Sequence, residues 1–350
     1  MSETVLEVKG LRVHFLQETG EPLRAVDGMS YSVNRGECVA IIGESGSGKT
    51  VSALSILRLI AFPPGIIAGG EIIFDGEDLL QLSDKEIKKI RGKRISMIFQ
   101  EPSAALNPVV PIGKQIGEAL KLHTDLDKQQ IRDRTIELLK LVDIPNPEQR
   151  VNEYPHQFSG GMQQRAMIAM AMSCSPELLI ADEPTTALDV TVQAQVLAQL
   201  DGLRRSTGMA LIIISHNLGI VAQYADSVKI MYGGKIVESG PTREVFNNSR
   251  HPYTLGLISA VPRLDKPKTD DLYTIKGEPP DMRFIPADAC AFAARCEYAT
   301  DLCCKQAPEP EPVGEGHYCS CFNKTLPQHR ILRGNGIEED KERGDAAHVW

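Results

Sequence analysis

Residues 43–50, GESGSGKT, fit the pattern G-x-x-x-x-G-K-[ST], in which a glycine-rich loop binds phosphate groups. The loop follows the apolar run ECVAIIG, which predicts a strand, and precedes a helix predicted from Lys49. Backbone N–H groups would surround the phosphates, Lys49 would reach the β- and γ-phosphates, and Thr50 would bind Mg²⁺. The predicted nucleotide-binding residues of this loop are Gly43, Glu44, Ser45, Gly46, Ser47, Gly48, Lys49, Thr50 and Val51.

A second group of reactive side chains ends another predicted strand, LLIADE at residues 178–183. Asp182 would hold Mg²⁺ through its water shell at the edge where the strands of a parallel sheet end. Two adjacent carboxylates repel each other, so they are costly unless a cation or a reaction uses them. Glu183 is therefore the predicted base, or water-polarising group, for attack on a γ-phosphate.

The composition limits the class of protein. The net charge of −8 argues against a nucleic-acid-binding protein, which usually has a basic balance. No apolar run approaches the roughly 20 residues that span a bilayer. The start, MSETVLEVKG, lacks the basic and apolar regions of a secretory signal, so we expect a cytosolic protein with reduced thiols.

Alternating strand and helix patterns predict an α/β protein with a mainly parallel sheet. The first 40 residues are rich in strand patterns. Residues 101–157 instead predict helices, for example in IGKQIGEALKLH, and indicate a helical insertion. After about Pro252 the alternation stops, and proline-rich, charged segments predict loops.

The segment FSGGMQQR at residues 158–165 resembles the signature of the ATP-binding-cassette ATPases, usually written LSGGQ. Phe158 replaces the leucine and Met162 the glutamine, while the serine and both glycines are kept. Further motifs of that family follow in order: Gln100 in MIFQEP, ALD at 187–189, and a histidine in IIISH. The resemblance implies catalytic roles for Lys49, Gln100, Glu183 and His216, nucleotide contacts for Gln100, Ser159, Gly160, Gly161, Asp182 and Asp189, and Mg²⁺ binding by Thr50, Gln100 and Asp182.

The same resemblance implies an aromatic side chain that stacks on adenine. Phe15 in VHF is the predicted residue, and Tyr31 is the alternative. Two cassettes of this family close head to tail, so the signature of one faces the γ-phosphate bound by the other. The chain has one set of motifs and is therefore expected to pair with a second copy or with a paralogous ATPase subunit.

The fold implied by the resemblance is an ATP-binding-cassette nucleotide-binding domain of the P-loop NTPase type. It would combine the α/β core with an antiparallel β subdomain and a helical subdomain, followed by a small, loop-rich region that contains cysteines. The predicted domains are residues 1–255, with the helical subdomain inserted at about 101–165, then 256–325, then a disordered tail at 326–350, where the charge run IEEDKERGDAAHVW has little to bury.

A second resemblance concerns the segments RHPYTLGLISAVP, IKGEPPD and CAFAARCEYATDLC, which are similar to the region after the cassette in dipeptide and oligopeptide importers. It implies an ATPase on the cytoplasmic face of the inner membrane that energises peptide import. The partners would be two transmembrane permease subunits and, indirectly, an extracytoplasmic peptide-binding protein. Relatives of these importers carry nickel, sugars or antimicrobial peptides, which remain alternative substrates.

A cassette ATPase that acts on a macromolecule is the competing class. DNA-repair forms insert long coiled coils between the two nucleotide motifs, whereas residues 51–177 contain no sustained heptads. Translation-type forms usually carry two cassettes on one chain. The transporter is therefore the predicted class, without nucleic acid as a partner.

Six of the eight cysteines lie within residues 290–321, whereas Cys38 and Cys174 stand alone in apolar surroundings. The spacing C-x5-C-x6-C contains no pair separated by two to four residues, which is the usual zinc pattern. Iron–sulfur clusters also take four thiolates, so spacing alone favours a metal without choosing between the two. The peptide-importer resemblance implies a [4Fe–4S] cluster on Cys290, Cys296, Cys303 and Cys321, with zinc as the alternative and Cys304 and Cys319 as extra thiols.

Overall fold

The structure is a computed structural model that describes residues 3–18, 20–185, 190–261 and 274–323, with the side chains of residues 190 and 191 excepted. The strands are β1 Thr4–Phe15, β2 Leu23–Asn34, β3 Cys38–Ile42, β4 Gly65–Phe74, β5 Glu77–Asp78, β6 Ile95–Ile98, β7 Leu178–Asp182, β8 Ala210–Ser215, β9 Ser227–Tyr232, β10 Lys235–Pro241, β11 Glu311–Gly314 and β12 His317–Cys319. The helices are α1 Lys49–Ile56, α2 Asp84–Ile90, α3 Pro102–Ala105, α4 Ile112–His123, α5 Lys128–Leu141, α6 Pro147–Arg150, α7 Gly160–Ala171, α8 Val190–Thr207, α9 Leu218–Tyr224, α10 Thr242–Asn247 and α11 Pro252–Ser259.

The larger sheet has the strand order β11-β12-β10-β9-β3-β8-β7-β6. Strands β3, β8, β9, β6 and β7 run parallel where they pair, and every residue of β3, β7 and β8 is buried. Parallel strands are covered on both faces, which explains why these strands are continuous apolar runs. Because β3, β8 and β7 are neighbours, the loops that follow them meet at one edge of the sheet.

The smaller sheet is antiparallel, in the order β2-β1-β4-β5. Buried and exposed residues alternate along much of β2, as expected when one face of a strand packs on a core and the other meets solvent. The buried face joins Leu6 and Val26 to Ile41 of β3 in one hydrophobic cluster. The predicted α/β fold with an antiparallel β subdomain is confirmed.

Helices α3 to α7 lie between β6 and β7 in the chain and form the predicted helical element. The helix α5 begins at a capping box, in which the Asp127 carboxylate accepts bonds from two backbone N–H groups and the Gln130 side chain returns to the Asp127 N–H. Ile112, Ile116 and Leu120 recur on one face of α4 and are buried in the cluster that contains α7. The helix α7, which begins with the signature segment, is therefore packed against α4 in this cluster.

The segment 274–323, which we call the C-terminal segment, extends the larger sheet. Strand β12 pairs antiparallel with β10, and β11 pairs with β12. Glu238 of β10 is buried and bonds His317 Nε2 at 2.8 Å, and it also accepts the backbone N–H groups of Arg250 and His251. A loop-rich region was expected here, and the added strands were not, because strands of three and four residues are too short to show alternation. Among the described helices, none is long and apolar enough to cross a membrane.

Candidate nucleotide site

The phosphate loop connects the end of β3 to the first residue of α1 and requires glycine at two positions. A Cβ on Gly43 would lie 2.3 Å from the Met231 carbonyl oxygen, and a Cβ on Gly48 would lie 2.2 Å from the Ala25 carbonyl oxygen. Gly48 also has a φ of 99°, a conformation that L side chains rarely adopt. The glycine spacing is therefore explained by close backbone approach as well as by the turn itself.

Lys49 is buried and folds back over this loop. Its Nζ donates to the carbonyl oxygens of Gly43 at 2.8 Å and Glu44 at 2.9 Å. Burial lowers the pKa of Lys49, and the carboxylates of Glu183, Asp182 and Glu44 oppose that change. The cation is thus held at the mouth of the loop, where a phosphate group would stabilise its charge.

Asp182 ends β7 beside Thr50, and together they supply oxygen atoms of the kind that Mg²⁺ prefers. Burial raises the pKa of Asp182, a hydrogen bond from the Thr50 hydroxyl opposes this, and Glu183 adds to it. The buried atoms Asp182 Oδ1 and Ser47 Oγ have no hydrogen-bond partner among the described residues. Buried oxygen atoms in this condition are unusual, and their position fits a magnesium-bound nucleotide.

Glu183 holds two of the other predicted catalytic side chains. Gln100 Nε2 donates to Glu183 Oε2 at 2.9 Å, and His216 Nδ1 lies 3.3 Å from Glu183 Oε1. The backbone of Glu183 has a φ of 45°, which is strained for a residue with a Cβ, and its N–H donates to the Ile214 carbonyl. The strained turn places the carboxylate between the loops that follow β6 and β8.

The signature segment begins α7. Ser159 caps this helix by accepting the Met162 N–H at 3.3 Å, and Phe158 is buried beneath it. Gly160 is exposed, and a Cβ built on it would have no heavy atom of the described residues within 4 Å. Nothing in this part of the chain therefore requires glycine at position 160, and an exposed helix N-terminus is suited to an anion from another molecule.

The two residues predicted as candidates for stacking on adenine differ in exposure. Phe15 is half-buried at the end of β1, so part of its ring can contact a ligand. Tyr31 is enclosed in the hydrophobic core, which raises the pKa of its hydroxyl and leaves no exposed ring face for stacking. Asp189 lies outside the described residues.

The four cysteines predicted as metal ligands, Cys290, Cys296, Cys303 and Cys321, line one small pocket. Burial is the largest cause that raises the pKa of Cys290, Cys296 and Cys321, and that of Cys296 reaches about 11. Cys304 is exposed and does not line the pocket. However, within residues 3–323, apart from the gaps in the description, no group of three or more Cys, His, Asp or Glu side chains is arranged to hold a metal ion. The donor chemistry fits a cluster, and the four side chains would have to come closer together to bind one.

Two contacts to the phosphate loop were missed by the sequence analysis. Arg295 Nη1 lies 2.7 Å from Glu44 Oε2, and the Glu44 N–H donates to the Tyr253 hydroxyl at 2.9 Å. Arg295 and Glu44 are 251 residues apart in the chain. A lone arginine in a loop-rich segment carries no local pattern that could have indicated this partner.

Two family matches cover most of this arrangement. Residues 26–186 match the family described as ABC transporter, and residues 237–303 match the oligopeptide/dipeptide transporter C-terminal region. The first match spans the phosphate loop, the signature and Asp182. The second spans three of the six C-terminal cysteines, Cys290, Cys296 and Cys303.

Similar curated proteins cover nearly the whole chain. It is 48% identical over 314 residues to an oligopeptide transport ATP-binding protein, OppD, of Bacillus subtilis (90% of this chain, 87% of the relative). It is 46% identical over 334 residues to a dipeptide transport ATP-binding protein, DppD, of the same organism (95% and 99%). Among solved structures, the dimeric ABC transporter cassette MJ0796 has a TM-score of 0.61 at 26% identity and covers 68% of this chain and 99% of its own, and cbiO1 from Clostridium perfringens has a TM-score of 0.58 at 26% identity, covering 70% and 92%.

The fold and these matches define an ATPase of the ATP-binding-cassette class, which uses ATP and Mg²⁺. The chain belongs to the ABC transporter family, in its branch of oligopeptide and dipeptide transporter ATP-binding proteins. Both resemblances found in the sequence are thereby confirmed.

Proposed function

We propose that this chain is the subunit that binds and hydrolyses ATP to drive peptide import through an inner-membrane transporter, on whose cytoplasmic face it sits. The match of residues 237–303 to the oligopeptide/dipeptide transporter region carries this proposal, because that region lies outside the part of the chain shared by cassettes in general. Two transmembrane permease subunits would form the pathway, and an extracytoplasmic binding protein would deliver the peptide.

The side chains at the sheet edge have separate roles in hydrolysis. Lys49, which now donates to the carbonyl oxygens of Gly43 and Glu44, would turn to the phosphates, and Thr50, Asp182 and Gln100 would hold Mg²⁺, which would supply positive charge to the phosphate oxygens. Glu183 orients the attacking water and accepts its proton, as a general base must lie within hydrogen-bond reach of the proton it takes.

Gln100 and His216 act as positioning residues for this carboxylate. Each contacts one of the two oxygen atoms of Glu183. When the attacking water binds to one of these oxygen atoms, the side chain that contacted it must shift. Because Gln100 lies between β6 and α3, where the chain enters the helical element, it would couple a contact between that element and a permease subunit to the nucleotide site.

A second cassette completes the site. The exposed Ser159 and Gly160 at the start of α7, with Gly161, face the γ-phosphate held by the partner cassette, so ATP joins two subunits and hydrolysis releases them. The partner is a paralogous ATPase subunit, with a second copy of this chain as the other arrangement.

The test is reconstitution of the chain with its permease subunits and paralogous ATPase in proteoliposomes. Loading the peptide-binding protein with a di- or tripeptide should raise ATPase activity several-fold and drive uptake of labelled peptide. The same vesicles with Glu183→Gln provide the control, because they should bind ATP and transport nothing. Stimulation by DNA or ribosomes in place of the loaded binding protein would overturn the proposal, and stimulation by nickel or a sugar alone would change the substrate.

The metal site is a separate proposal. Cys290, Cys296, Cys303 and Cys321 would ligate a [4Fe–4S] cluster that fixes the C-terminal segment, supported by their shared pocket and by the need of a loop-rich segment for a cross-link. Protein purified without oxygen should be brown and contain iron and sulfide. Cys321→Ser should lose the colour, whereas Cys304→Ser, which changes an exposed thiol outside the pocket, should keep it. Colourless protein with stoichiometric zinc would establish the alternative.

A further inference from the structure

A partly buried ion pair joins the C-terminal segment to the phosphate loop. Arg295 directs its two terminal nitrogens at the two carboxylate oxygens of Glu44, at 2.7 Å and 3.3 Å. The Arg295 side chain is only 8% exposed and that of Glu44 is 23% exposed. A fork of two parallel hydrogen bonds fixes the carboxylate in direction as well as in distance.

The arginine is itself held by two further residues. Its Nε donates to the Lys276 carbonyl at 3.0 Å, Nη1 donates to the Tyr232 hydroxyl at 3.3 Å, and the guanidinium lies 5.8 Å from the centre of the Tyr232 ring. Phe292 packs edge-on against the same ring. These contacts fix the guanidinium relative to β9, which ends at Tyr232. Strand β9 pairs with β3, the strand that leads into the phosphate loop.

Glu44 transmits this position to the phosphate loop. Its carboxylate is fixed by Arg295, its N–H by the Tyr253 hydroxyl, and its carbonyl accepts from Lys49 Nζ. All three contacts hold Glu44 in place. Glu44 belongs to the loop whose N–H groups and Lys49 must face the phosphate. Burying an arginine is costly unless its partner is well aligned, and the forked contact with Glu44 supplies that alignment for a side chain that is only 8% exposed.

We propose that Arg295 is a positioning residue for ATP binding, through which the C-terminal segment sets the conformation of the phosphate loop. The inference rests on the proposed role of that loop. Loss of the arginine frees the Glu44 carboxylate and lets the loop sample conformations that do not bind phosphate. Because binding competence falls with the population of the correct conformation, the apparent affinity for ATP falls in proportion.

The first test measures ATP affinity of the purified full-length chain by equilibrium binding, together with KM and kcat in the assembled transporter. Arg295→Gln should weaken ATP binding and raise KM about 5-fold, with kcat changed less than about twofold, because the loop contacts ground state and transition state alike. Arg295→Lys should fall between, since lysine keeps the charge but cannot form the fork. Arg283→Gln is the matched control: it lies in the same segment, is exposed, and pairs locally with Asp281.

The second test asks whether the effect passes through Glu44. In a double-mutant cycle, Arg295→Gln combined with Glu44→Gln should be no worse than Glu44→Gln alone. Arg295→Lys keeps the proposal testable if Arg295→Gln does not fold, and Tyr253→Phe, which removes only the hydroxyl that accepts the Glu44 N–H, shows separately whether a second contact to Glu44 supports ATP binding. Additive losses in the cycle would show that Arg295 acts by another route.

The third test asks whether ATP binding stabilises the C-terminal segment. If the C-terminal segment raises ATP affinity, ATP must in turn stabilise the segment, because linkage is reciprocal. Amide hydrogen exchange in residues 290–303 should slow when ATP is added to wild type and Arg283→Gln, and not in Arg295→Gln. ATP affinity of Arg295→Gln within twofold of wild type overturns the inference. Unchanged binding by Lys49→Ala would instead overturn the phosphate loop itself.

Discussion

Gln100 Nε2 donates to Glu183 Oε2 at 2.9 Å, while the other carboxylate oxygen lies 3.3 Å from His216 Nδ1. The three residues follow β6, β7 and β8, which are adjacent strands of the larger sheet. The carboxylate is thus held between two side chains. The backbone of Glu183 has a φ of 45°, which is strained for a residue with a Cβ. This conformation directs the carboxylate between the loops that follow β6 and β8.

The first prediction concerns Glu183→Gln. The amide keeps the size of the side chain and removes the base, so ATP binding should stay within about twofold while turnover falls by at least about 100-fold. Equilibrium nucleotide binding and steady-state phosphate release measure the two effects. Glu177→Gln is the control, because Glu177 immediately precedes the opposite end of β7 and pairs with Arg94 and Arg35 at the surface. Near-normal turnover in Glu183→Gln would contradict the assigned role.

The second prediction concerns His216→Ala. The His216 side chain is 62% exposed, so its loss should leave the melting temperature nearly unchanged. Turnover should fall by about 10- to 100-fold, because Glu183 loses the partner of one oxygen and the contact that positions it. His123→Ala, at the end of α4, should not change turnover. A drop in stability that matched the drop in activity would show instead that His216 is structural.

Much of the sheet could be predicted from sequence, because its central strands carry their own signal. β7 and β8 are short runs that are apolar up to their last residues, Asp182 and Ser215, which is typical of parallel strands covered on both faces. The phosphate loop was predictable because its glycines, Lys49 and Thr50 all lie within residues 43–50, and strand and helix flank them. Local pattern, local structure and ligand chemistry agree at this site.

Contacts between distant segments could not be predicted in this way. The Arg295–Glu44 pair joins residues whose neighbours in the chain have nothing in common, and β12 forms only because β10 offers an edge to pair with. The cysteines illustrate the same limit. Their spacing favoured a metal and the family resemblance implied four ligands, which do share a pocket, but neither could fix the distances between the thiols.

The third prediction concerns Asp182→Asn, at a residue where stability and function oppose each other. Burial raises the pKa of Asp182, so its ionised form at pH 7 is less favourable in the folded than in the unfolded chain. The neutral amide should therefore raise the melting temperature of the nucleotide-free protein in EDTA. Mg²⁺-dependent ATPase should fall by at least about 100-fold. A lower melting temperature for Asp182→Asn would show that the ionised carboxylate is stabilised by its surroundings.

The fourth prediction concerns Gly160→Ala in the signature. A methyl group at this exposed position meets no described heavy atom within 4 Å, and alanine favours a helix, so the chain should fold with unchanged or slightly higher stability. In the assembled transporter the methyl group would stand between α7 and the γ-phosphate of the partner cassette. ATPase activity should therefore fall more than about 10-fold, as expected when an anion loses close approach to a helix N-terminus.

Gly202→Ala is the matched control for this experiment. Gly202 lies on α8, is also exposed, and a Cβ there likewise meets no heavy atom of the described chain within 4 Å. Both substitutions add one methyl group to one exposed helical glycine, so their effects on folding should be alike. Only Gly160→Ala should reduce ATPase activity and the ATP-dependent association of cassettes measured by light scattering. Equal activity in the two variants would mean that the signature glycine does not face a nucleotide across the interface.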